Sequence, residues 1–155
     1  MGAAIRRRSV LVGMAAVLGA GTVWAESAQW TVAEAARAVS AGEMVLIDVR
    51  TPAEWKATGV AEGGWPVSLK DAQFGAALSQ IVSRNRGKQI GFICATGARS
   101  AFVVRHLRAQ GLSNVVDVNE GMMGNRGGKG WLKAALPLVS DQQALAAMPG
   151  DFTAR

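Results

Sequence analysis

Cysteine and histidine are scarce in this chain of 155 residues, which contains one of each, Cys94 and His106. One cysteine excludes an internal disulfide, and one cysteine with one histidine do not supply the ligands of a metal site. A nucleic-acid-binding surface is not indicated, because no stripe of lysine and arginine is interleaved with aromatic residues. We therefore expect no metal, no cofactor and no nucleic-acid partner. Half of the residues are hydrophobic and 18% are charged, which is typical of one globular domain.

Basic residues outnumber acidic ones by 17 to 11, but the excess is concentrated near one end. Three arginines lie together at positions 6 to 8, so the rest of the chain carries 14 basic and 11 acidic residues. A mild positive balance of this kind suits small anionic ligands.

The first 25 residues have the pattern of a signal peptide. Arginines 6 to 8 form the basic segment, residues 10–24 form the apolar segment, and Ala25 is a small residue at a plausible cleavage point. The apolar segment has about 15 residues, whereas a membrane-spanning helix needs roughly 20, which favours a cleaved signal over an anchor. We expect a periplasmic or secreted protein without stable membrane insertion after cleavage, exported by the Sec or the twin-arginine route.

Strands and helices are predicted to alternate along the remaining chain. Short apolar runs predict buried strands at residues 44–47 and 90–93. Residues 115–118 predict a further strand, and residues 65–69 predict an edge strand. Capping boxes, apolar spacing and stop signals predict helices at residues 32–41, 52–59, 71–84, 100–110, 131–135 and 142–147. This order predicts an α/β fold with a mostly parallel sheet and helices on both faces. We predict a domain over 26–139 and a C-terminal tail over 140–155.

Two polar segments follow two of the predicted strands. Asp48-Val49-Arg50 follows the first buried strand, and Cys94 follows the strand at 90–93. Ligands of such sheets bind outside the carboxyl ends of the strands. We therefore expect both segments on one rim of the sheet.

The heptapeptide Cys-Ala-Thr-Gly-Ala-Arg-Ser, which begins at Cys94, joins a predicted strand to a predicted helix. The small side chains of Ala95, Gly97 and Ala98 leave room for backbone N–H groups to turn inward, and such groups at a helix start form an anion-binding nest. Arg99 adds a permanent positive charge. Comparable settings lower a cysteine pKa to roughly 3.5–7.5. We predict that Cys94 is an ionised and accessible nucleophile, and not a small buried hydrophobe.

The same heptapeptide, Cys-x-x-Gly-x-Arg-Ser after an apolar strand, resembles the active-site loop of single-domain rhodaneses. The stretch from Leu46 to Trp55, with aspartate, arginine, glutamate and an aromatic residue in order, resembles that family's upstream motif. Glu120-Gly121 and Trp131 resemble its closing segment. The likeness covers about residues 31–139.

The resemblance implies a rhodanese-like fold with a five-stranded, mostly parallel sheet, and a sulfurtransferase activity. Such an enzyme moves a sulfane sulfur from an anionic donor, such as thiosulfate, a persulfide or polysulfide, to a thiophilic acceptor, which can be a protein. Cys94 would carry the sulfur as a persulfide. The substrate-binding residues implied around it are Ala95, Thr96, Gly97, Ala98, Arg99 and Ser100. The resemblance also places Asp48 and Arg50 among the substrate-binding residues, where they would support the rim of the sheet that carries the site.

Other functions fit the sequence less well. A cysteine-dependent phosphatase has five residues between its cysteine and arginine, whereas four lie between Cys94 and Arg99, and Ile93 stands where that class has histidine. A thiol redox protein lacks a second, resolving cysteine here. A non-catalytic rhodanese-like binding or sulfur-carrier module stays open as the alternative, although inactive members generally lack the cysteine.

The segment from Gly121 to Trp131 is longer than usual for the family and carries Arg126 and Lys129. One hypothesis is that these two charges help to capture an anionic donor. A solvated glycine-rich loop is an equally good interpretation.

Overall fold

The computed structural model describes residues 29–150 and Phe152. The strands are β1 (Gln29–Trp30), β2 (Met44–Asp48), β3 (Val60–Ala61), β4 (Gly64–Pro66), β5 (Gln89–Ile93), β6 (Val115–Val118) and β7 (Leu138–Val139). The helices are α1 (Val32–Ser40), α2 (Pro52–Thr58), α3 (Phe74–Arg84), α4 (Ala98–Ala109), α5 (Gly130–Lys133) and α6 (Asp141–Ala147).

The main sheet has five strands in the order β1-β6-β5-β2-β4, and every neighbouring pair is parallel. This architecture confirms the predicted fold class. The short strands β3 and β7 form a separate antiparallel pair. Strand β1 pairs with β6 at the edge of the sheet, and it was not among the predicted strands.

The residues of β2, β5 and β6 are buried apart from Gln89, as the apolar runs at 44–47 and 90–93 predict for the first two strands. One face packs against α3 and α4, with Ile81 and Val104 in the core. The other face packs against α1 and α5, where Ala35 and Trp131 are buried. Helices therefore lie on both sides of the sheet, which leaves its carboxyl edge as the place where loops form a site.

Two helices begin at the capping boxes predicted from the sequence. The Thr31 side chain accepts the Glu34 N–H at the start of α1, and the Glu34 carboxylate accepts the Thr31 N–H in return. Thr51 and Glu54 do the same at the start of α2. The α2 box also fixes the position of the Glu54 carboxylate, which enters the site described below.

Helix α3 begins at Phe74, three residues later than predicted. The Asp71 side chain accepts the Gln73 N–H at 2.7 Å, and the Phe74 N–H bonds the Asp71 carbonyl. Asp71 therefore stabilises a turn before the helix, since aspartate bonds its own neighbouring backbone as readily as it caps a helix.

The C-terminal segment is part of the packed domain. Helix α6 lies against β4 and α2, and Met148 and Phe152 are buried. The Phe152 ring stacks on Trp65 with their centroids 5.6 Å apart, and the Arg84 guanidinium lies 4.9 Å from the Phe152 centroid. The segment predicted as a C-terminal tail therefore packs on the sheet domain through α6, Met148 and Phe152.

The predicted signal peptide, residues 1–25, lies outside the described residues. From residue 29 onward, the described chain contains no helix that is both long and apolar enough to cross a membrane.

Candidate active site

Cys94 lies at the carboxyl edge of the sheet, immediately after β5. Strands β5 and β2 are in register with Ile93 opposite Asp48, so the structure brings the Cys94 loop and the segment after β2 to one edge. Gly97 then starts α4 with a φ of 96°, a left-handed conformation that glycine adopts without a steric penalty. The loop therefore turns sharply around the sulfur before the helix begins.

Two groups of the loop donate hydrogen bonds to the Cys94 sulfur. The Gly97 N–H lies 3.1 Å from Sγ, and the Ser100 hydroxyl oxygen lies 3.5 Å from it. Thr96 and Ala98, in contrast, have exposed side chains. Of the predicted anion-binding nest, the structure shows one backbone N–H donor, and a serine hydroxyl is the second donor. Hydrogen bonds from both groups stabilise a negatively charged sulfur.

The Cys94 side chain is buried, with 1% of its surface exposed, and it packs with Val49, Val67 and Val103. The prediction of an accessible sulfur is therefore wrong for this structure. The cause is the closure of the loop over Sγ, because Ser100, which turns inward in the first helical turn, is fully buried as well. A substrate can reach the sulfur only after part of this cover moves.

Arg99 forms an ion pair with Glu54 of α2. Its guanidinium donates to both carboxylate oxygens, at 2.9 and 2.6 Å, and each side chain is 32% exposed. The hydrogen bond from Arg99 is the main cause that lowers the pKa of Glu54 to about 2, and Thr51 contributes. The hydrogen bond to Glu54 is also the main cause that raises the pKa of Arg99, and the charge of Cys94 contributes less in the same direction. The direct contact of the Arg99 guanidinium is therefore with the Glu54 carboxylate.

Sequence reasoning expected Arg99 near the sulfur but missed Glu54 as its partner. The available signal was the α2 capping box, which fixes the Glu54 carboxylate close to the end of β2. The Glu54 carboxylate also accepts a hydrogen bond from Arg99, 45 residues away in sequence. This contact depends on the tertiary structure, which the capping box does not predict.

Asp48 and Arg50 form a fully buried ion pair behind the loop. The shortest contact is 2.7 Å, and the Arg50 guanidinium also donates to Thr58 Oγ1 and to the Gly59 carbonyl, each at 2.7 Å. Both side chains are buried, with exposures of 0% and 1%, and their predicted part in substrate binding stays a prediction. They support the rim indirectly, because they fasten the end of α2 to β2.

The chain after β6 braces the Cys94 loop through its backbone. The Met122 N–H donates to the Cys94 carbonyl and the Met123 N–H donates to the Ala95 carbonyl, both at 2.8 Å. The loop around the sulfur is thus bonded along one side, which limits how far it can open.

Asn125 adds a second brace, which sequence reasoning did not identify. Its side-chain amide donates to the Thr96 carbonyl at 2.9 Å and to the Asn119 carbonyl at 2.7 Å. Arg126 and Lys129, in the same loop, have exposed side chains. The long glycine-rich loop therefore contacts the Cys94 loop directly through Asn125, and it also carries two exposed charged side chains.

The family model described as "Rhodanese-like domain" matches residues 31–126. The chain belongs to the rhodanese-like domain family. The matched region contains β2, the Cys94 loop and all of β6, which are the elements around the site.

Individual relatives agree with this assignment. An uncharacterized protein of Rickettsia prowazekii is 30% identical over 98 residues, which cover 59% of this chain and 80% of the relative. A rhodanese-related protein from Thermoplasma volcanium has a similar structure, with 26% identity, a TM-score of 0.52, and coverage of 72% of this chain and 96% of that protein. The polysulfide-sulfur transferase homodimer of Wolinella succinogenes has 24% identity and a TM-score of 0.53, with coverage of 75% and 80%.

The fold and the family are therefore those of a sulfurtransferase-type or rhodanese-like module. Such modules act on sulfur donors and acceptors.

Proposed function

We propose that this protein is a sulfurtransferase in which Cys94 carries a sulfane sulfur as a persulfide. The observation that carries this proposal is the setting of Cys94 Sγ, which accepts hydrogen bonds from the Gly97 N–H and the Ser100 hydroxyl next to the Arg99 guanidinium. Hydrogen bonds and positive charge stabilise the thiolate, and they stabilise the equally anionic persulfide.

In the first half-reaction, the Cys94 thiolate attacks the outer sulfur of the donor. A new S–S bond forms, the bond between that sulfur and the rest of the donor breaks, and the leaving group departs with the electron pair. With thiosulfate the leaving group is sulfite. In the second half-reaction, a thiophilic acceptor such as cyanide or a thiolate attacks the outer sulfur, and the Cys94 thiolate is regenerated.

Arg99 provides the positive charge for an anionic donor. Its side chain is one-third exposed and hydrogen-bonds Glu54, so an arriving anion competes with the Glu54 carboxylate for the same guanidinium.

The donor class includes thiosulfate, persulfides and polysulfide. The Wolinella succinogenes protein, which has this fold, is a polysulfide-sulfur transferase, and this is a reason to include polysulfide among the probes. The acceptor is a thiophile, which can be a small molecule or a protein thiol.

Intact-mass spectrometry tests the proposal. The purified protein is exposed in turn to thiosulfate, polysulfide and a thiol persulfide, and we expect a gain of about 32 Da per added sulfur on the peptide that contains Cys94. Added cyanide is expected to remove the sulfur as thiocyanate. The matched control is Cys94→Ser, which keeps the fold but takes up no sulfur. Sulfur loading of this variant, or no loading of the wild type by any donor, contradicts the proposal.

The alternative function is a non-catalytic rhodanese-like binding or sulfur-carrier module. The observation that favours it is the 1% exposure of Cys94. A folded protein that accepts no sulfur would be a binding module, whereas one that loads sulfur but releases no thiocyanate on repeated turnover would be a carrier.

We also propose that the chain is exported and cleaved after Ala25, since residues 1–25 have the pattern of a signal peptide. N-terminal sequencing of the protein from a periplasmic or culture fraction is expected to begin at Glu26. Recovery of the uncleaved chain from the cytoplasm alone contradicts this proposal.

A further inference from the structure

Asp117 is a buried carboxylate for which the proposed reaction has no role. It is the one polar residue of β6, and Val116 and Val118 on either side of it pack on the α1 face of the sheet. Because side chains alternate along a strand, Asp117 points to the opposite face, where Val115 packs under α4. Asp117 is 3% exposed, and among the described residues none hydrogen-bonds its Oδ1. A buried oxygen without a partner costs free energy and calls for an explanation.

A cavity of about 350 Å³ lies beside this carboxylate, between β6, the edge strand β1 and helix α4. Its walls combine two apolar side chains with four polar or charged ones, and they consist of Gln29, Ala101, Val104, Arg105, Arg108 and Asp117. Cavities that bind small molecules measure about 300–1,000 Å³ and hold a few polar groups between apolar walls. The volume of this cavity is at the lower end of that range, which fits a ligand of few atoms. We call it the Asp117 cavity.

The two arginines of the Asp117 cavity are held in different ways. The Nε and Nη2 atoms of Arg108 donate to the Val115 carbonyl at 3.2 and 3.1 Å, which fixes the guanidinium, whereas its Nη1 has no acceptor in the described part of the chain. Arg105 is exposed, and its guanidinium lies 5.9 Å from the centroid of the Phe102 ring. From residue 29 to residue 150, neither arginine forms an ion pair with Asp117. The cavity thus contains a carboxylate and two cations that do not neutralise one another by contact.

This separation of charge favours a ligand that carries both signs. An anion alone would bind the arginines and leave the Asp117 carboxylate without a donor, and a cation alone would leave the arginines without an acceptor. Burial raises the pKa of the Asp117 carboxyl, and a positively charged donor beside it would stabilise the ionised form. Hydrogen bonds between charged groups are about twice as strong as those between neutral groups, so a molecule with both charges gains from each end.

We propose that the Asp117 cavity binds a free α-amino acid with a small side chain. The ammonium group of the ligand donates to the Asp117 carboxylate. Its carboxylate accepts from the guanidinium groups of Arg105 and Arg108. Its side chain lies against the apolar walls made by Ala101 and Val104. An α-amino acid suits this arrangement because its two opposite charges sit on one short backbone, within the span of a small cavity.

A titration followed by NMR tests the proposal, with L-alanine as the probe. L-Alanine has no thiol and therefore does not react with Cys94. We expect saturable shifts of the backbone amides of Ala101, Arg105 and Asp117. Propionate, which lacks the ammonium, and ethylamine, which lacks the carboxylate, are expected to bind at least about tenfold more weakly, since each loses one hydrogen bond between charged groups. Equal affinity for propionate and L-alanine would show a plain anion site and overturns the proposal, as does the absence of saturable shifts.

Two variants test the assigned partners. Asp117→Asn keeps the shape of the side chain and removes its charge, and we expect it to weaken L-alanine binding about tenfold or more. Arg105→Gln changes an exposed residue and is expected to weaken binding about threefold or more, because charged groups near solvent contribute less. The matched controls are Asp71→Asn, before α3, and Arg37→Gln, on the exposed side of α1, and both should bind as the wild type does. Unchanged affinity in Asp117→Asn or in Arg105→Gln overturns the proposal.

The stability of Asp117→Val provides a second test, because a residue kept for a ligand is expected to cost the fold stability. Valine fills the position without a buried charge, so we expect the urea midpoint of the variant to exceed that of the wild type. L-Alanine should raise the wild-type midpoint and leave that of the variant unchanged. A lower midpoint in Asp117→Val would show that the carboxylate has a structural partner within the fold, and this result overturns the proposal.

The amino-acid site stands apart from the proposed sulfur transfer. None of these measurements uses a sulfur donor or requires Cys94. Sulfur loading with no binding of L-alanine would overturn this proposal alone, and binding of L-alanine without sulfur loading would overturn the sulfurtransferase proposal alone.

Discussion

The carboxylate of Glu54 and the guanidinium of Arg99 share two hydrogen bonds, at 2.9 and 2.6 Å, across 45 residues of sequence. The same carboxylate accepts the Thr51 N–H at 2.9 Å and so closes the capping box of α2. One side chain therefore joins the start of a helix to the loop around Cys94.

Glu54→Gln is expected to remove part of the acid sensitivity of the fold. The pKa of Glu54 is about 2 in the folded protein against 4.5 without these partners, so its stabilising effect is complete above pH 4.5 and is lost as the pH falls towards 2. The wild type should therefore lose more free energy of unfolding over that range than the variant. At neutral pH the difference is expected to be about 1 kcal/mol or less, because the pair is partly exposed to solvent.

Urea unfolding at a series of pH values measures this effect. Glutamine can still accept the Thr51 N–H, so the helix cap is kept and the charge is the main change. Equal pH slopes for the two proteins would contradict the assigned role of the ion pair.

Asp48→Asn is expected to destabilise the fold by about 3 kcal/mol, because it leaves the Arg50 guanidinium buried without its counter-charge. Denaturant unfolding at pH 7 provides the measurement. Lys88→Gln, a change at an exposed position, serves as the control and should shift stability by about 0.5 kcal/mol or less. A loss below about 1 kcal/mol for Asp48→Asn would show that the pair is not a main support of α2.

Gly97→Ala is expected to abolish sulfur loading and to destabilise the fold by about 2 kcal/mol or more. The φ of 96° disfavours any side chain, and the new Cβ would contact the Asn119 carbonyl oxygen. Gly75→Ala is the matched control, since Gly75 lies in α3 with open space around the added methyl group. It should stabilise the protein by about 0.5–1 kcal/mol, because alanine favours helices. Normal loading by Gly97→Ala would argue against a rigid loop.

The double variant Arg126→Ala with Lys129→Ala tests donor capture by the glycine-rich loop. Both side chains are exposed next to Asn125, which bonds the Cys94 loop at Thr96. We expect the KM for thiosulfate to rise about threefold with kcat unchanged, which is the size of effect that exposed charges exert. Lys88→Ala, which removes a charge at the opposite edge of the sheet, should have no effect. An unchanged KM in the double variant would show that the two charges do not help to bind the donor, and that the loop only supports the Cys94 loop.

The parts of the fold that could be predicted are those with strong local signals. The apolar runs at 44–47 and 90–93 indicate that β2 and β5 are buried on both faces, and the capping boxes at Thr31 and Thr51 locate two helix starts. The two-residue strand β1 gave no such signal, because two residues show no periodicity and its pairing with β6 is a long-range contact.

The site was predictable in composition but not in geometry. The order of residue types identified Cys94 and Arg99, since the loop motif is contiguous. The burial of the sulfur, the Glu54 partner of Arg99 and the brace from Asn125 arise from segments that meet only in the folded chain. No sequence pattern within one segment predicts those tertiary contacts.

The stacking of Phe152 on Trp65 limits how far the C-terminus can be truncated. The match of the family model ends at residue 126, yet a fragment trimmed to that point would lack α6, Met148 and the Phe152 ring that packs on Trp65. Its newly bared aromatic surface would favour self-association, and a failed assay on such a fragment would report on solubility instead of chemistry.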